Sequence, residues 1–116
     1  MSEEVLDLPE FKERVQDDIE LLLELLDIYT ADFQEKRPKI QAAVDAGNAE
    51  DVRSLAHSLK GASGNISAKS LRETFLKLEE KGKSGDLTGA ADLIVQIDEK
   101  FTALQERIES VKKELQ

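Results

Sequence analysis

Apolar residues recur at spacings of three and four along most of this chain, and no strand-like alternation stands out. The clearest run is Leu87, Ala90, Ile94, Ile97, Phe101, Leu104, Ile108, Val111 and Leu115. That spacing keeps side chains on one face of a 3.6-residue helix, whereas one face of a strand needs a period of two. Ile19, Leu22, Leu26, Tyr29, Phe33, Ile40 and Val44 form a second stripe. Val52, Leu55, Ala56, Leu59, Ser63 and Ile66 form a third, and Leu71, Phe75 (or Thr74) and Leu78 a fourth. Phe11 and Val15 give a short segment ahead of them an apolar side. Amphipathic helices of this kind are marginal alone in water, so they must bury their stripes against one another. Burial contributes about 25 cal/mol per Å² of apolar area.

Local signals divide the stripes into elements. Asp7 is a candidate N-cap, and Pro9 falls in the first turn, where its missing N–H is harmless. Pro38 lies inside the second stripe and is expected to bend or break it. Gly47 is placed to close that helix, with Asn48 capping the next. Ser67 is a plausible cap for the helix after that, and Asp86 for the last. The predicted fold is therefore all-α: an antiparallel up-down four-helix bundle with a short extra N-terminal helix. The chain of 116 residues reads as one domain, 1–116. The short helix is placed at about 8–15, and the bundle helices at about 18–46, 49–64, 68–83 and 87–115.

Against this frame the only histidine stands out. His57 points about 140° from the centre of its helix's apolar stripe, so it faces outward. Gly61 and Gly64, one and two turns on, share that face. Each glycine costs a helix about 1 kcal/mol relative to alanine. Access for something large beside the imidazole is a return on that cost. Lys60 at i+3 and Arg53 at i−4 add positive charge beside the ring. The acidic pairs Glu3-Glu4 and Asp17-Asp18 read as solvated or helix N-terminal charge.

Several chemistries are excluded. With no cysteine and one histidine, a metal site would need clustered carboxylates, and none faces His57. No metal site is assigned. Ser54 and Ser58 are close in sequence, but a helix surface offers no oxyanion hole. A formal charge of −9 argues against nucleic acid and anionic membrane surfaces. No apolar run reaches transmembrane length and the first residues show no secretory pattern, so a cytoplasmic location is expected. No glycine-rich loop follows a strand, so autonomous kinase activity is not expected. A cationic patch around an exposed imidazole suits a transient anion on the ring, and a phosphoryl group fits best.

His57-Ser58-Leu59-Lys60-Gly61-Ala62-Ser63 resembles the signature of histidine-containing phosphotransfer (HPt) domains. The Ala46-Gly47-Asn48 turn, Ala56, Ala68, the Leu78-Glu79 pair and the final heptad helix extend the resemblance over nearly the whole chain. The family commonly carries glycine where this chain has Ser67. The resemblance implies a phosphorelay carrier, in which His57 accepts a phosphoryl group from a receiver-domain phospho-aspartate and passes it to another receiver. It implies that Lys60 stabilises the phosphoryl charge and that Gly61 and Gly64 leave room for the partner. Arg53 and Arg72 are candidate partner contacts. The partners implied are response-regulator receiver domains, with a hybrid histidine kinase as a further candidate. No cofactor is expected on this chain, since the receiver supplies Mg²⁺, and a monomer is the expected state. The competing reading is a helical adaptor that binds partners through the His57 face without phosphate.

Overall fold

The computed structural model describes residues 5–115. Among them the secondary structure is entirely helical. Helix α1 spans Leu8–Arg14, α2 Ile19–Asp45, α3 Ala49–Asn65, α4 Lys69–Ser84 and α5 Ala90–Leu115.

The capping residues explain where most helices begin. Asp7 accepts a hydrogen bond from the Glu10 N–H at 3.1 Å, Asp18 from Leu21 at 3.0 Å and Asn48 from Asp51 at 3.1 Å. Each satisfies a backbone donor that the first helical turn leaves without a partner. Beyond the end of helix α2, Gly47 closes the turn: its φ of +69° lets its N–H and that of Asn48 return to Val44 and Ala43.

Two local expectations are corrected, and a third is met without a break. Ser67 does not cap α4. It occupies the left-handed position that closes α3, at φ +60°, and its N–H reaches the Gly64 carbonyl while that of Ala68 reaches Ser63. Its hydroxyl donates to Glu10 instead, and Ala68 stands at the α4 N-cap with no side-chain bond. Asp86 does not cap the last helix either. It accepts from Thr88 N–H within a turn, and Gly89, at φ +85°, holds the chain out of helix until Ala90. Pro38 does not break α2, which runs through it to Asp45. Pro38 is exposed, so a missing backbone bond there faces water.

The stripes meet in one core. Leu22, Leu26, Phe33, Val52, Ala56, Leu59, Leu71, Phe75, Leu78, Ile97 and Leu104 are all buried. Phe33 of α2 stacks on Phe101 of α5, with ring centroids 3.6 Å apart, and meets Phe75 of α4 edge-on. Polar pairs record how the helices run. Lys36–Ser58 and Tyr29–Ser63 join α2 to α3, and Asp27–Lys112 and Arg37–Asp98 join α2 to α5. His57–Glu79 joins α3 to α4. In both doubly joined pairs, residue numbers rise on one helix as they fall on its neighbour. Ser63 donates to the Leu59 carbonyl and so accepts from the Tyr29 hydroxyl, a buried polar tie just inside the His57 face. Burial pushes the Tyr29 hydroxyl pKa upward, which keeps it a proton donor. Among the described residues no helix is long and apolar enough to cross a membrane.

Candidate functional site

His57 lies in the middle of α3 with its side chain 63% exposed. Helix α4 packs beside α3 and brings Glu79 beneath the ring. Glu79 sits on the inward face of α4 with Phe75, Leu78 and Gly82, and its side chain is only 2% exposed. One carboxylate oxygen, Oε2, stands 2.8 Å from His57 Nδ1. The other, Oε1, stands 2.7 Å from Lys60 Nζ. Lys83 Nζ approaches Oε2 at 3.9 Å.

A buried carboxylate needs compensating charge. Here the Lys60 ammonium, opposed by burial and helped by His57, holds the Glu79 carboxyl below the usual carboxylate range. An ionised carboxylate only accepts hydrogen bonds. His57 Nδ1 is therefore the donor of this pair, and in a neutral ring with that tautomer Nε2 is the lone-pair nitrogen. A carboxylate that fixes the tautomer of a histidine is a recurrent way to ready the second nitrogen for chemistry. Among the described residues no group of three or more His, Asp or Glu side chains is placed to hold a metal ion.

The Hpt domain family matches residues 24–112, a span that includes His57, Lys60 and Glu79. The chain belongs to the Hpt domain family. Membership carries a histidine phosphotransfer role in two-component phosphorelay, in which Hpt domains interact with response-regulator receivers. Among solved structures, the Hpt chain is similar to histidine-containing phosphotransfer protein B (HptB) from Pseudomonas aeruginosa PAO1. The two are 30% identical, with a TM-score of 0.80 over 94% of this chain and 92% of that one. A comparison with curated proteins finds no match.

The remaining residues singled out in the sequence of this Hpt domain fall at different distances from the ring. Gly61 is exposed, and a Cβ there would meet nothing within 4 Å. Gly64 is less open, because the Arg72 side chain lies across it: an added Cβ would stand 3.3 Å from Arg72 Cδ. Arg53 pairs with Glu50 on its own helix. Lys60 is drawn onto Glu79. The outer face continues past Gly61 and Gly64 into a polar cleft rimmed by Arg14, Lys69 and Arg72.

Two features were missed from sequence. Glu79 was noted only as part of a family-like pair and given no role. Its position one residue after Leu78 and four after Phe75 was the available signal, since that places a carboxylate on the buried stripe. The second is an apolar strip on α2. Leu21 and Ile28 stay exposed, and Leu25, Ile28 and Ala62 line a shallow groove beside α3.

Proposed function

We propose that this chain is a phosphorelay intermediate that accepts a phosphoryl group on Nε2 of His57. The observation that carries the reading is the exposed imidazole whose Nδ1 is held by the buried, ionised Glu79. The donor is a receiver-domain phospho-aspartate, and the acceptor is the aspartate of another receiver. In the forward step Nε2 attacks phosphorus, the N–P bond forms as the acyl phosphate P–O bond breaks, and the aspartate carboxylate leaves. Because Nδ1 keeps its proton, the phosphorylated ring carries positive charge, which the Glu79 carboxylate offsets. Reversal of these bond changes on a second receiver returns the neutral ring.

Positioning and charge neutralisation dominate phosphoryl transfer. Lys60 supplies positive charge beside the ring, and Gly61 leaves space for the receiver. Arg53, Gly64 and Arg72 lie on the surface the receiver covers. The exposed Leu21 and Ile28 give it apolar area to bury. Mg²⁺ belongs to the receiver, and the chain has no kinase activity of its own. Four long helices in an up-down bundle, with α1 as an accessory, form the rigid frame that presents α3.

The test is incubation with a phosphorylated receiver and Mg²⁺, following acid-labile, base-stable phosphate on this chain. Wild type takes label and His57→Gln takes none, with unchanged helix content because the side chain is exposed. Equal labelling of both proteins would refute the assignment. No label from a panel of competent receivers would favour the adaptor reading.

A further inference from the structure

Gly82 lies on α4 one turn beyond Glu79, and it faces Arg53, which lies one turn before His57 on α3. A Cβ on Gly82 would stand 2.5 Å from the Arg53 backbone nitrogen, 2.7 Å from its Cα and 2.8 Å from its Cβ. The two nearest atoms are main chain, so no side-chain rotation relieves the contact. The two helices therefore meet backbone to backbone at this level. One turn along the same pair, the Glu79 carboxylate reaches His57 Nδ1 at 2.8 Å and Lys60 Nζ at 2.7 Å.

We propose that Gly82 is a positioning residue for phosphotransfer: its close contact with Arg53 sets the α3–α4 spacing at which Glu79 reaches His57 Nδ1. The inference rests on the reading of His57 as phosphoacceptor. It adds a residue that touches neither the ring nor the phosphoryl group. Bringing a Cβ at Gly82 to ordinary van der Waals distance requires the helices to part by about 1 Å. A 2.8 Å hydrogen bond one turn away is lost under a displacement of that size. Gly61 differs: it faces open space, so its missing side chain leaves the spacing of α3 and α4 alone.

The experiment pairs two readouts, the nitrogen-15 signals of the His57 ring and the rate of phosphoryl transfer from a phosphorylated receiver with Mg²⁺. Gly82→Ala keeps its helix content, loses the excess of the Nδ1–H form and transfers about tenfold more slowly. In a Glu79→Gln background the same substitution slows transfer no further. Glu79→Asp, which retracts the carboxylate with the helices in place, reproduces the tautomer change. The proposal is overturned by a Gly82→Ala protein with wild-type tautomer and rate, or by an equal loss of rate in the Glu79→Gln background. It is overturned equally by a Glu79→Asp protein with the wild-type tautomer, or by a Gly82→Ala protein that unfolds, since the residue is then simply structural. The tautomer signal needs no phosphate. A wild type that takes no phosphoryl group therefore defeats the reading of His57 and leaves the spacing claim to be judged by that signal.

Discussion

Glu79 is a fully covered carboxylate on the buried face of α4, and its two oxygens meet two different side chains of α3. Removing its charge while keeping its shape separates orientation from packing. Glu79→Gln is expected to fold and to lower the transfer rate about tenfold to a hundredfold, because a neutral amide no longer enforces the Nδ1–H tautomer or offsets the charged ring. A transfer rate equal to wild type in a time course with a phosphorylated receiver would remove Glu79 from the account. His57 itself was legible in the sequence because it is the only histidine and sits off the stripe. Glu79 was not, because in a helix so rich in Lys and Glu a single glutamate reads as solvated surface. Its spacing from Phe75 was the one signal against that reading, and the packing of α3 on α4 is what covers the side chain. Lys60 was legible as a cation near the ring, but its partner is the missed glutamate.

At the scale of elements, helix starts set by side chains were easier to read than turns set by backbone shape. Asp7 and Asn48 cap where their sequence context indicates. Ser67 misleads because serine is a good N-cap, yet the chain needs a left-handed residue there to close α3. The same geometry explains why glycine suits this position in the family. A left-handed backbone at a residue with a Cβ costs about 1–2 kcal/mol, and the Ser67 hydroxyl offsets part of that through its 2.8 Å bond to Glu10. Ser67→Ala and Ser67→Gly both lose the bond, but only glycine relieves the backbone. Urea unfolding is expected to show Ser67→Ala less stable than Ser67→Gly by about 1 kcal/mol. Equal stabilities would mean that the left-handed backbone carries no strain. The start of α5 misled as well: the stripe beginning at Leu87 continues the helical period, but φ at Gly89 delays the helix to Ala90.

At the scale of the whole molecule, the apolar periodicity carried the fold. The seam on α5 is buried from Ala90 to Val111 at its predicted positions, and Phe33 joins α2, α4 and α5 through ring contacts. Charge adds a pH dependence. Glu79, Asp7 and Glu10 all have carboxyl pKa values lowered in the folded protein, the first chiefly by Lys60 and the other two chiefly by Lys69. A carboxyl whose folded pKa lies below its unfolded value stabilises the fold above the unfolded value. That contribution is lost as pH falls through the folded pKa. Unfolding midpoints are therefore expected to hold steady down to about pH 4.5 and to decline below it. Glu79→Gln is expected to soften the decline. A midpoint that rises on acidification would contradict these ion pairs.

Phosphoryl acceptance at Nε2 is tested by the position of the phosphoryl group on the His57 ring, read from nitrogen-15 and phosphorus-31 spectra of the selectively labelled protein before and after phosphorylation. Phosphorus is expected on Nε2, with Nδ1 still protonated and donating to Glu79. Phosphorus on Nδ1, or a phosphorylated protein whose His57 ring is unchanged, would contradict it.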